Sequence, residues 1–155
     1  MTGYAEGMGS TTSATSVPAQ LTLSGAADAV TAAQLRRALQ RWLHEVAEMS
    51  SGVHGDIVLG VNEALANCVE HAYRAQRTVG TMKLQASYDS AAQSIRVCVS
   101  DCGTWYRRPP KRPNDPGASR GIMLMHALSE HCTIEARPSG TTVFLDYTAE
   151  ANVEH

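Results

Sequence analysis

Three residues in one stretch carry the strongest chemical signal. Glu63, Asn67 and His71 lie four apart in Asp-Ile-Val-Leu-Gly-Val-Asn-Glu-Ala-Leu-Ala-Asn-Cys-Val-Glu-His-Ala-Tyr-Arg, residues 56 to 74. Four-residue spacing stacks side chains along one face of an α-helix. A carboxylate there can take a proton, and a carboxamide one turn on can hold a metal-bound phosphate oxygen. Taken alone, the same three residues also read as the wet face of an amphipathic helix.

Other groups follow in order. Asp101-Cys102-Gly103 ends an apolar, alternating segment. An aspartate at such a place can accept a hydrogen bond from the exocyclic amine of a base. The glycine lets backbone approach a flat ring. Asp-x-Gly is equally an ordinary strand-end turn. Residues 103 to 120 hold Arg107, Arg108, Lys111, Arg112 and Arg120 against one acid, Asp115, and include four prolines. A cationic loop suits a polyphosphate, and it also reads as a solvated loop. Ser119-Arg120-Gly121 leads into a predicted helix, whose free N–H groups would favour phosphate. Gly140-Thr141-Thr142-Val143 opens the last predicted strand, where the Thr141 hydroxyl could help hold a base.

These residues need elements to position them. Val61, Leu65, Cys68 and Ala72 recur at helical spacing on a separate stripe, so residues 56 to 74 read as a helix with Asp56 as its N-cap. Before it, Leu21 and Leu23 suggest a short edge strand. A second helix has Thr31 and Gln34 as a capping box, with Leu35, Leu39, Trp42, Leu43 and Val46 buried and Arg36, Arg37, Gln40 and Arg41 wet. Residues 50 to 55 read as a loop. Met82 to Tyr88 and Ile95 to Asp101 alternate in polarity and predict an antiparallel hairpin turning at residues 89 to 93. Gly121 to His131 reads as a short helix, Thr133 to Arg137 as a strand, and Val143 to Tyr147 as the last strand. The predicted fold is α/β: a two-layer sandwich of a mixed, mostly antiparallel sheet covered on one face by helices.

Composition bounds the function. At 155 residues the chain forms one domain, taken as residues 19 to 148, between a Gly/Ser/Thr-rich N-terminal tail (1–18) read as disordered and a polar C-terminal tail (149–155). A net charge of -2 argues against nucleic acid or an acidic membrane as default partner. No apolar run is long enough to span a membrane, and no signal peptide opens the chain. The four cysteines form no CxxC pair and read as reduced residues of a cytoplasmic protein. His126 and His131 are off the helical repeat, which disfavours a shared metal. No Walker A motif, nucleophile elbow or Cys/His nucleophile arrangement is present.

In chain order, Glu63-x-x-x-Asn67, Asp101-x-Gly103, Arg120-Gly121 and Gly140-Thr141 resemble the N, G1, G2 and G3 boxes of the Bergerat-fold (GHKL) ATPases. Val-Asn-Glu-Ala-Leu-Ala-Asn-Cys-Val-Glu-His-Ala-Tyr-Arg, Arg-Gly-Ile-Met-Leu-Met-His-Ala-Leu and Gly-Thr-Thr-Val look closely like the anti-sigma factor serine/threonine kinases of that superfamily. The resemblance spans Leu21 to Tyr147. It implies ATP and Mg²⁺ as cofactors, Glu63 as general base and Asn67 as the Mg²⁺ ligand. It implies Asp101, beside Gly103 and supported by Thr141, as reader of the adenine amine. His71, Arg120 and Gly121 would complete the nucleotide site, and residues 104 to 120 would be the ATP lid. The implied partners are a STAS-fold anti-sigma antagonist, a sigma factor and a second copy of the chain. One departure stands out: Ser119 takes the first position of the usual Gly-x-Gly, where a side chain costs backbone freedom beside the phosphates, with Gly117 close by to compensate. The competing reading is a non-catalytic, nucleotide-shaped module that sequesters a protein, although such a module has no use for the Glu63 carboxylate. A sensor histidine kinase fragment fits poorly, because no dimerisation helix with a phospho-accepting histidine precedes the domain.

Overall fold

The computed structural model describes residues 18–75, 80–102 and 116–149, apart from the side chains of 71–75 and 116–119. All but Pro18 of the predicted N-terminal tail, most of the C-terminal tail, Gly103, the basic stretch Arg107 to Arg112 and the side chain of His71 lie outside that description. The elements run β1 (Gln20–Ala26), α1 (Ala29–Val46), α2 (Ser51–Ala75), β2 (Thr81–Asp89), β3 (Ser94–Asp101), α3 (Pro116–Leu128), β4 (His131–Arg137) and β5 (Gly140–Thr148). The strands form one sheet in the order β1-β2-β3-β5-β4. Every pairing among the described strands is antiparallel, so the sheet is not mixed. The cause lies in the connection from β1 to β2. A single helix between neighbouring strands gives a parallel crossover. Here two helices run out and back through the short Ala47–Ser50 link, and β2 returns against β1.

Alternation decides the layering. Met82, Leu84 and Ala86 of β2, Ile95, Val97 and Val99 of β3, and Val143, Leu145 and Tyr147 of β5 are buried on the helical side. They meet Leu39 and Leu43 of α1, Ile57, Val61, Leu65 and Cys68 of α2, and Met125 of α3. Burying one such aliphatic side chain contributes about 1.5–3 kcal/mol, so this layer dominates the stability. The opposite face carries the in-register row Thr22, Gln85, Cys98, Phe144 and Thr133. There Arg96 pairs with Asp146 at 2.7 Å and lies 5.5 Å from the Phe144 ring centre.

The helix starts differ from the sequence expectation. Asp28 caps α1, accepting the Thr31 amide at 2.8 Å, in place of a box at Thr31 and Gln34. The central helix begins at Ser51, not Asp56. Ser50 Oγ accepts the Val53 amide at 3.1 Å, which makes 51–55 the first turn of α2 instead of a loop. The third helix starts at Pro116 and ends at Leu128, and β4 already begins at His131. Proline suits a first helical position because its missing N–H would have no partner there. Tight contact seats α2 on the sheet: a Cβ on Gly60 would lie 2.8 Å from the Tyr147 hydroxyl.

Candidate functional site: a carboxylate pair around one helix

Helix α2 is the spine of the site. Glu63 and Asn67 are partly buried, one turn apart, on the side of α2 that meets α3. One turn is about 5.4 Å of rise. Gly121 of α3 is buried against Glu63, and a Cβ there would sit 3.0 Å from Glu63 Oε1. The glycine therefore lets α3 close onto the carboxylate and fix where it lies. Arg120, its neighbour, is exposed, which leaves its guanidinium available to an anion. Because α3 starts at Pro116, the amides of Arg120 and Gly121 lie past the first turn, not at a free helix start. The expectation that their N–H groups cradle phosphate is corrected accordingly. The last turn of the predicted lid, Pro116 to Arg120, is helical.

The second half of the site is the strand end. Asp101 closes β3 and pairs in register with Thr141 of β5. The fully buried Thr141 donates its amide to Asp101 Oδ1 at 3.3 Å. Gly140 has φ +158, and a Cβ there would collide with the Asp101 carbonyl oxygen. Only glycine permits that approach, and it brings Thr141 to the aspartate. On the helix side lies the buried Cys68. Burial, then the Asp101 charge, pushes the Cys68 thiol well above its ordinary value, so it stays a neutral thiol.

Asn67 lies one turn from Glu63, and the neighbouring Cys68 is buried in the core. The structure sets Gly121 against Glu63 and Thr141 against Asp101. His71 continues the same helix, with only its backbone described. A cavity of about 450 Å³ lies elsewhere, between α1 and α2, lined by Ala29, Ala32, Ala33, Arg36, Asn62 and Glu70 among others. Arg36 donates to Asn62 Oδ1 across it at 2.9 Å. It belongs to the flank of α2 turned away from Glu63, so this cavity and the Glu63 side do not coincide.

The family model for the histidine kinase-like ATPase domain matches residues 25–147. The chain belongs to that family. ATP binding follows from membership, and the residues present fit it: a carboxylate at a strand end for the base, and an exposed arginine with a close-packed glycine on α3. Among solved structures, the RsbU and RsbW domains of Rv1364c from Mycobacterium tuberculosis match with 24% identity and TM-score 0.66, over 88% of this chain and 34% of that one. A blue-light activated histidine kinase from Erythrobacter litoralis matches with 28% identity and TM-score 0.51, over 65% of this chain and 32% of that one. The ATPase domain thus spans about a third of the length of the solved chains it matches. No helix among its described residues is long and apolar enough to cross a membrane.

Proposed function

We propose that this ATPase domain is an ATP-dependent protein serine/threonine kinase of the anti-sigma type. Its substrate is a STAS-fold antagonist in the cytoplasm, and it sequesters a sigma factor when that antagonist is absent. The supporting observation is the placement of Glu63, held against Gly121 at the α2–α3 contact and one turn from Asn67. A protein that only bound nucleotide would not need a carboxylate fixed there. The partner class is supported by the sequence of residues 61 to 74 and 120 to 128.

In this reading Asp101 accepts the adenine amine, and Arg120 faces the phosphates. Asn67 would hold Mg²⁺, whose charge offsets that of the phosphate oxygens. Glu63 takes the proton from the attacking serine or threonine hydroxyl. The hydroxyl oxygen bonds to the γ-phosphorus, the bond from that phosphorus to the β–γ bridging oxygen breaks, and ADP leaves with the electron pair.

Radiolabelled phosphate transfer to a STAS partner, run beside nucleotide titration, tests this. Glu63→Ala should bind ATP about as the parent does and lose about 10²–10⁴ in transfer rate. Asn67→Ala should lose both. Transfer at the parental rate by Glu63→Ala would remove Glu63 as base. A parent that binds ATP and sequesters its partner but transfers nothing would make the domain a binding module.

A further inference from the structure

The sheet has two edges, and they are built differently. Strand β4 carries His131, Glu135 and Arg137, and Arg137 pairs with Glu135 at 2.7 Å. Charge on an edge strand discourages another strand from adding to it. Strand β1, Gln-Leu-Thr-Leu-Ser-Gly-Ala, has no charged residue and no proline, and its register on β2 runs unbroken from Gln20 to Ala26. Its outer side is also chemically open. The Ala19 carbonyl accepts the Tyr88 amide at 2.9 Å, and the Ala27 amide donates to the Gly80 carbonyl at 2.9 Å. Bonding residues alternate along an antiparallel pair. Leu21, Leu23 and Gly25 therefore turn their N–H and C=O toward β2, while Gln20, Thr22 and Ser24 turn theirs away from the sheet. No described strand lies beyond them. The chain entering β1 is held in place, because Trp42 Nε1 donates to the Pro18 carbonyl at 2.9 Å.

We propose that β1 is a self-pairing edge: a second copy of this chain adds its own β1 antiparallel, with the twofold axis at Thr22. What selects a second copy is the strand's self-complementarity. A twofold interface sets residue i against j and j against i. With the axis at Thr22, that residue faces its own copy, Gln20 faces Ser24, and Leu21 faces Leu23. The outward groups of Gln20, Thr22 and Ser24 then meet in narrow pairs, which gives about six hydrogen bonds between the chains. The half-buried Leu21 and Leu23 cover one another on the helical side. Gln20, Thr22 and Ser24, all exposed, pair as neutral polar groups on the open face. No β1 charge meets its own copy across the axis. A slip of one residue would set the outward groups against inward ones, so the register is specified. The two sheets become one. This pairing does not depend on the kinase reading.

Sedimentation of the full chain tests the assembly, and variants of β1 test the register. The parent should sediment as a dimer. Thr22→Pro removes only an outward N–H, so each chain keeps its own ladder and its circular dichroism should stay parental. Its dimer dissociation constant should rise more than about tenfold, because the two bonds on the axis are lost. Thr22→Cys should form a disulfide-linked dimer on mild oxidation, since narrow pairs hold their Cα atoms about 5.5 Å apart, within disulfide reach. Ser24→Cys should not, because its own copy lies about 13 Å away along the strands. The parent, oxidised beside them, gives the background from the exposed Cys102. If Thr22→Pro does not fold, the comparison of Thr22→Cys with Ser24→Cys decides. A monomeric parent, a dimer that survives Thr22→Pro, or a Ser24→Cys cross-link as efficient as that of Thr22→Cys would each overturn the proposal.

Discussion

Replacing Gly121 by alanine should separate stability from catalysis. The new methyl carbon would lie 3.0 Å from Glu63 Oε1, tighter than ordinary carbon–oxygen contact, so the carboxylate must withdraw by a few tenths of an ångström. Glu63 is a long side chain and Oε1 is its far end, so withdrawal costs the fold little. Position 121 is interior to α3, where alanine is favoured over glycine by roughly 0.5–1 kcal/mol. The variant should therefore unfold at the parental temperature or slightly above. Catalysis responds in the opposite sense. A base displaced by about 1 Å can cost about 10²-fold, so a shift of a few tenths should slow phosphotransfer by roughly three- to tenfold, with nucleotide affinity within about twofold. Thermal unfolding, ATP titration and single-turnover transfer on the same preparation check the three quantities. Parental transfer from a variant at least as stable as the parent would refute the idea that α3 fixes the position of the base. A large loss of stability would show that the contact is not with a side chain free to yield.

Two further outcomes follow from other sites. Asp101→Asn turns an acceptor toward the adenine amine into a group with a competing donor, and calorimetry should show ATP binding weakened by more than about tenfold; unchanged affinity would remove the adenine pocket from this strand end. His54 stacks on His44 with ring centres 4.3 Å apart, and its buried Nε2 has no hydrogen-bond partner among the described residues. Burial, then the His44 charge, hold its pKa below the ordinary 6.5, against the opposing pull of the Gln40 backbone. The unfolded chain therefore binds the proton more readily. The stability contributed by neutral His54 is complete above about pH 7.5 and falls as pH drops through 6.5 toward the lower folded value. Melting temperatures should decline from about pH 7.5 to 5.5 in the parent and less steeply in His54→Phe; identical slopes would discard the histidine stack as the cause.

The strands and the polar–apolar sides of the helices were legible because burial on one face imposes a period. The sheet-facing residues Leu84, Val97 and Leu145 alternate as a half-buried sheet requires, and Val61, Leu65 and Cys68 keep the helical repeat. Helix starts were less legible. Gly52 and Gly55 dilute the helical signal before Asp56, yet one hydroxyl on Ser50 suffices to begin the helix five residues earlier. Pro116 and Gly117 read as loop, although proline at a first helical turn costs nothing. For the site, Glu63 and Asn67 were visible because their spacing is local to one helix. Asp101 and Thr141 were visible as members of ordered boxes. The close approach of Gly140 to the Asp101 carbonyl depends on a contact between segments distant in sequence. No local pattern encodes that contact, and it needs the sheet order β3-β5 to be known.

That sheet order also has a consequence during synthesis. Strand β5 is the last strand of the described chain, yet it lies inside the sheet, between β3 and β4. When the ribosome has reached residue 139, β3 and β4 are both made but have no partner between them, and Asp101 lacks the amide of Thr141. The nascent domain must hold its α1, α2 and β1-β2-β3 layer with one apolar flank open until residues 140 to 148 emerge. Insertion of β5 then completes the sheet and the Asp101–Thr141 corner in a single step. A nascent chain stalled short of Gly140 should accordingly be a chaperone client without nucleotide affinity, and the first molecule able to bind ATP should be one whose β5 has already been translated.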